Sequence, residues 1–223
     1  MLYLTGYELP SASLRSPNRF PKVNTLDHSS NSPVLIGGRL SLDFLNELKS
    51  SNFSWEELLG FLLLTRIISS ERSSQLLSLP KYDPQSAASL LGKAQRLHES
   101  LGETFHALLG KEALSPKWIE PINEVLRITE GHDELLDQNG KWSLEFVARE
   151  GGLAWLLAAI ARSAAELLAE GPSARLRVCS NPTCGLLFYD NSRTRRRRWC
   201  SMSRCGNRHK VAAFSRRHAA GRG

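Results

Sequence analysis

At 223 residues, with 41% hydrophobic and 23% charged side chains, the sequence has the composition of an ordinary globular protein, which excludes wholesale disorder. No apolar run reaches the roughly 18–20 uncharged residues that span a bilayer, since the most apolar stretch, Leu153 to Ala161, ends at Arg162. The net charge of +7 is unevenly divided: Arg175 to Gly223 carries thirteen Lys or Arg residues against one acid, Asp190, while the first 174 residues carry sixteen basic and twenty-one acidic side chains. A polyanionic partner is expected for the basic end.

Residues 1–33 are rich in Ser, Pro and Asn without periodicity and read as an N-terminal extension. Met1 to Phe20 lacks the basic start and the roughly 7–15-residue apolar core of a secretory signal, so a cytoplasmic location is expected. A short apolar run, Val34 to Ile36, ends at Gly37-Gly38, and Ser41 to Asn46 opens a helix-compatible pattern. Ser54 and Glu57 have the spacing of a reciprocal capping box, with Phe53 and Leu58 placed for a hydrophobic staple. Trp55, Leu58, Leu59, Leu62, Leu63 and Ile67 then recur at helical spacing. Asp83-Pro84 starts a long helix whose apolar positions keep their period to Gly110. Ser115-Pro116 repeats that start, and Pro121 is expected to shorten or kink the helix it begins.

Asn139-Gly140, between Glu134-Leu135-Leu136 and the alternating Trp142, Leu144 and Phe146, predicts a β-hairpin, with His132-Asp133-Glu134 read as a loop before it. Leu153 to Leu168 is apolar almost all round, as a helix central to a bundle would be, and Gly171-Pro172 ends it. The expected fold is mainly α with a small hairpin. It divides into an extension (1–33), a helical body (34–172) and a small cysteine module (173–223).

All four cysteines fall within 27 residues, as Cys179-x4-Cys184, then fifteen residues, then Cys200-x4-Cys205. Two close pairs joined by a loop bring four thiolates onto one tetrahedral ion, and zinc suits four sulfur ligands with no open position. Such binding contributes on the order of 10 kcal/mol in isolated zinc modules, enough to order a segment poor in apolar residues. Two disulfides and an iron–sulfur cluster are the competing readings. The missing signal peptide argues against the first and the two-pair spacing against the second.

Arg193 and Arg195-Arg196-Arg197-Arg198-Trp199 precede the second cysteine pair. A helix is expected from Ser201 to His218, with Val211 and Phe214 on one face and Arg208, His209, Arg216 and Arg217 largely on the other, Lys210 at its flank. Guanidinium groups fork to phosphate and can read guanine edges. The expected nucleic-acid contacts are therefore Arg195, Arg196, Arg197, Arg198, Arg208, Lys210, Arg216 and Arg217, while Trp199 reads as a core residue of the module or a base-stacking one.

These residues resemble the CGNR zinc finger: Cys179-x4-Cys184-Gly185, Phe188-x-Asp190-x-Ser192, and Arg197-Arg198-Trp199-Cys200-Ser201-Met202-x-x-Cys205-Gly206-Asn207-Arg208-x-Lys210. Gly37-Gly38-Arg39-Leu40-Ser41-Leu42-Asp43-Phe44-Leu45-Asn46 is similar to the opening of the ABATE domain, a stress-induced transcription regulator, and Ile122 to Leu126 to its central helix. That resemblance implies a treble-clef-like finger and DNA-binding regulation of transcription.

Within the body, Asp43 and Asn46 lie on one helical face and are read either as a small polar site or as cap and buried hydrogen bond. His98 and His106 are read as solvated surface. No Gly-rich phosphate loop, nucleophile elbow or His-Glu-x-x-His occurs, so no enzyme is expected. The leading expectation is a regulator with one structural zinc and a double-stranded DNA partner. Its rivals are an RNA-binding or ribosome-associated protein and a scaffold for an acidic protein. A homodimer and a small-molecule ligand of the body stay open.

Overall fold

The computed structural model describes residues 35–128, 131–138, 141–148, 152–171 and 175–211, the strands 131–138 and 141–148 by their backbone and pairing. The extension over 1–33, the Asn139-Gly140 turn, Phe214, Arg216 and Arg217 lie outside the described residues.

Among the described residues the body is helical apart from one β-hairpin. Helix α1 (Leu40–Glu47) buries Leu42 and Phe44. Helix α2 (Trp55–Leu64) starts on the capping box: the Ser54 hydroxyl accepts from Glu57 N at 3.2 Å, and the Glu57 carboxylate accepts from Ser54 N at 2.7 Å. Phe53 and Leu58 both lie in the core beside it. Helices α3 (Ser70–Leu77) and α4 (Leu79–Tyr82) carry no apolar period that would announce them. Ser69 caps α3, and Trp55 Nε1 donates to Leu76 O at 3.0 Å, tying it to α2.

Helix α5 (Pro84–Gly110) is the longest, capped by Asp83, whose carboxylate accepts from Ser86 N at 3.0 Å. Its Ala87, Leu90, Ala94, Leu97, Leu101 and Phe105 are buried in the order the period predicts. Helix α6 (Pro116–Ile128) runs through Pro121. Strands β1 (Gly131–Gln138) and β2 (Lys141–Ala148) pair antiparallel with Gln138 opposite Lys141, the register of a two-residue loop. His132-Asp133-Glu134 is thus strand rather than a preceding loop, opposite Val147, Phe146 and Glu145.

The expected central helix begins as a 3-10 turn (Ala154–Leu157) and continues as α7 (Ala158–Ala169). Leu156, Leu157, Ile160, Ala161, Ala164 and Leu167 are fully buried, and α7 packs on α1 and α6. One apolar cluster joins α1, α2, α5, α6 and α7. Each large aliphatic side chain buried there contributes about 1.5–3 kcal/mol.

His98 is buried rather than solvated. It sits against Phe44 and Phe53, its Nε2 hydrogen-bonded to Leu48 O. His106 is exposed. Eight residues advance a helix by about 80° beyond two full turns, enough to turn one ring inward and the other out. Burial holds the His98 imidazole below its usual pKa, with the Leu48 carbonyl opposing.

Candidate metal centre and basic surface

Strands β3 (Leu176–Val178) and β4 (Leu187–Tyr189) form a short antiparallel hairpin that carries the first cysteine pair between them. Cys179 N donates to Leu186 O at 2.9 Å and Cys184 N to Asn181 O at 2.9 Å, so both thiols leave tight turns on one side. Of the second pair, Cys200 precedes and Cys205 lies within a single π-helical turn (Met202–Gly206), at whose end Gly206 N reaches Ser201 O at 3.1 Å. Residues 207–211 continue as α-helix. The continuous helix expected from Ser201 is therefore replaced at its start by a wider turn, which holds Cys205 inward. Val211, expected to face the module, is 65% exposed. A side chain at Gly206 would place its Cβ 2.5 Å from Met202 Sδ and 3.2 Å from Trp199 Cδ1, so the exposed Met202 side chain would have to move aside to admit it.

The four Sγ atoms lie within 4.8 Å of one another. Cys200 Sγ is 3.7 Å from both Cys184 Sγ and Cys205 Sγ. Zinc–sulfur bonds of about 2.3 Å in a tetrahedron require sulfur atoms about 3.8 Å apart, and these fit. They are too far apart for disulfides, and all four cysteines are free. Cys179, Cys184, Cys200 and Cys205 are thus positioned to hold one structural zinc ion.

Hydrogen bonds orient the sulfurs. Cys200 N donates to Cys179 Sγ at 3.4 Å and Asn181 Nδ2 to Cys205 Sγ at 3.3 Å. Burial acts to raise the Cys179 thiol, but hydrogen bonds, first from Cys200 N, outweigh it and hold the thiol below its usual range. Burial and the neighbouring thiols push Cys200 far up. Binding an ion to this set displaces protons.

Arg195, Arg196, Arg198, Arg208 and Lys210 are exposed, and among the described residues none has an ion-pair partner. Arg197 turns into the module instead. Its Nε donates to Trp199 O at 2.8 Å, its Nη2 bonds Cys200 O, and its guanidinium lies 4.6 Å over the Phe188 ring. Trp199 is half-buried, 4.6 Å from the His209 ring, with Arg198 5.1 Å over its face.

Asp43 and Asn46 each take a main-chain partner. Asp43 Oδ1 accepts from Gly37 N at 2.7 Å. Asn46 Nδ2 donates to Leu187 O at 2.8 Å, and its Oδ1 accepts from Leu187 N at 3.0 Å, as a neighbouring strand would. Tyr189 N donates to Gly37 O at 2.7 Å, while Tyr189 OH and Arg39 Nη2 both donate to Glu170 Oε2, at 2.9 and 2.6 Å. A side chain at Gly37 would come 2.8 Å from Leu42 Cβ, so the close approach depends on glycine. The segment from Gly37 to Asn46 therefore docks β4 against the body.

Sequence reasoning passed over the structural part of Asp190, whose carboxylate bonds Ser192 and Arg197 N. Its signal was its isolation as a single acid among thirteen basic residues.

Two family models match the chain. One, described as CGNR zinc finger, covers residues 175–218, and the other, ABATE, described as "Putative stress-induced transcription regulator", covers residues 38–171. No curated protein matches it.

Proposed function

Because the chain belongs to the ABATE family and carries a CGNR zinc finger, we propose that it is a transcription regulator that binds double-stranded DNA through the basic face of that finger. Residues 34–172 act as the sensing or oligomerising body and 173–223 as the DNA-binding finger, with 1–33 as an extension. The zinc does no chemistry; Cys179, Cys184, Cys200 and Cys205 use it to hold a cationic surface in shape. Arg195, Arg196, Arg198 and Lys210 meet phosphates, and Arg208 meets a phosphate or a base edge. Arg197 supports them from behind, and Arg216 and Arg217 are further phosphate contacts. The protein works in the cytoplasm without a catalytic activity, and as a homodimer where its target is palindromic.

One observation carries the reading. Five exposed cations stand on a metal-held module and, among the described residues, no carboxylate pairs with them. Among the described residues, then, no acid of the body forms an ion pair with these five. The test is a salt series of binding to random duplex DNA. Each phosphate neutralised contributes about −0.9 to the slope of log affinity on log salt, so five contacts give about −4 to −5. A flat slope removes the reading. A structured RNA measured at matched salt separates the two nucleic acids, and tighter binding to RNA would move the assignment to an RNA-binding protein.

A further inference from the structure

Asp190 is the one acid between Arg175 and Gly223, and it is fully buried. Its Oδ1 accepts from Ser192 N at 3.0 Å and from Ser192 Oγ at 2.6 Å, and its Oδ2 accepts from Arg197 N at 2.9 Å. Its own main chain is fixed on both sides: Asp190 N donates to Arg175 O at 2.7 Å, and Arg175 Nη1 donates to Asp190 O at 3.2 Å. Between these anchors the chain folds back, with Arg195 N donating to Ser192 O at 3.2 Å. Arg195 has φ +51°, a left-handed conformation that residues other than glycine seldom adopt. Its carbonyl accepts from Arg177 Nη2 at 3.4 Å.

Two features of this loop need a common cause. A run of arginines that repel one another is bent into a strained turn, and the anion beneath it is not used to neutralise them. Among the described residues no guanidinium bonds the Asp190 carboxylate, whose two oxygens are taken by loop amides and one hydroxyl. Arg193, Arg195 and Arg196 are left exposed and without an ion-pair partner among the described residues. Strain that the surroundings hold in place is a mark of a preorganised binding surface. We propose that the loop 190–198 is a preformed seat for nucleic-acid backbone phosphate, in which Asp190 is the positioning residue and Arg193, Arg195 and Arg196 make the contacts. This rests on the nucleic-acid reading of the finger and adds the residue that shapes its grip.

Charge and positioning predict opposite signs for Asp190→Asn. Removing a negative charge from beneath a basic surface strengthens polyanion binding if the loop keeps its shape by itself. Losing the carboxylate's hold on Ser192 and Arg197 weakens it if Asp190 sets the shape. The experiment measures affinity for random duplex DNA at fixed salt, with wild type, Asp190→Asn and Ser192→Ala compared as full chains. Each is checked for one bound zinc by native mass spectrometry and for folding by circular dichroism. We expect zinc-loaded, folded Asp190→Asn to bind about tenfold more weakly, and Ser192→Ala, which loses one hydroxyl bond, about threefold more weakly. If Asp190→Asn fails to hold zinc, Ser192→Ala decides alone. Equal or tighter binding by the zinc-loaded variants overturns the proposal while leaving the DNA reading intact. Absence of salt-dependent binding by wild type sinks both.

Discussion

At Asp43, burial and hydrogen bonding pull in opposite directions. Burial pushes its carboxyl up to about 7 from an ordinary 3.8, against the hydrogen bond from Gly37 N, and the nearby Glu47 carboxylate adds to the rise. Between those two values the folded protein holds a proton at this position that the unfolded chain has released. Stability must therefore fall as pH rises through that window, by on the order of 4 kcal/mol when it is crossed completely. His98 acts in the other sense, since a buried neutral imidazole disfavours folding once the unfolded chain takes up a proton below about pH 6.5. Asp43→Asn separates the two, because the amide oxygen can still accept from Gly37 N without titrating. Urea denaturation from about pH 4 to about pH 8 should show wild type losing stability with rising pH relative to Asp43→Asn. Parallel curves would mean that the carboxyl titrates as it does in water.

Among single elements, α2 is the one whose start was readable down to the atoms. A capping box is a matter of four consecutive residues, so Ser54 and Glu57 announce it wherever the rest of the chain goes. Ser54→Ala should cost about 1 kcal/mol in chemical denaturation and Ser54→Gly only a few tenths. An unchanged midpoint for Ser54→Ala would show that tertiary packing alone fixes where α2 begins. The same locality made the cysteine module legible, because two x4 spacings close their own turns around an ion. The hairpin register is local too, set by two loop residues and the alternation beside them. Three features escaped for the complementary reason. Helix α3 has only Ser73 and Leu76 buried and depends on Trp55, fifteen or more residues away, for its tie to the body. His98 was assigned to solvent because its shielding comes from Phe44 and Phe53, on other parts of the chain. For Asn46, read either as part of a small polar site or as a buried hydrogen bond, what escaped was the partner, Leu187, 141 residues on, which takes both bonds.

The pairing of Asn46 with Leu187 decides how the whole molecule responds to its metal. Finger and body share a main-chain hydrogen bond at Gly37–Tyr189, two bonds between the Asn46 side-chain amide and the Leu187 main chain, the bond from Tyr189 OH to Glu170, and apolar contact, since Leu176 and Tyr189 belong to the same core cluster as α1, α5 and α7. A finger on a loose tether would unfold by itself when its zinc is removed. One whose strand completes the surface of the body cannot leave without exposing Leu42-bearing α1 and stranding the Gly37 carbonyl and the Asn46 amide. Zinc bound to the native finger alone stabilises everything folded together with it, by RT ln(1 + [Zn]/Kd), about 4 kcal/mol at a thousandfold excess over Kd. Helical ellipticity reports the body, because the described part of the finger is mostly non-helical. Chelation under reducing conditions should therefore lower the thermal midpoint of the helical signal, and zinc resupply should restore it. Asn46→Ala removes two hydrogen bonds at the junction and is expected to cost about 1–3 kcal/mol, with a smaller further drop on chelation than wild type shows. If chelation left the helical midpoint of wild type unmoved, the junction would be too weak to link the two parts. A signal sensed in the body would then have no rigid path through α1 to the arginines of the finger.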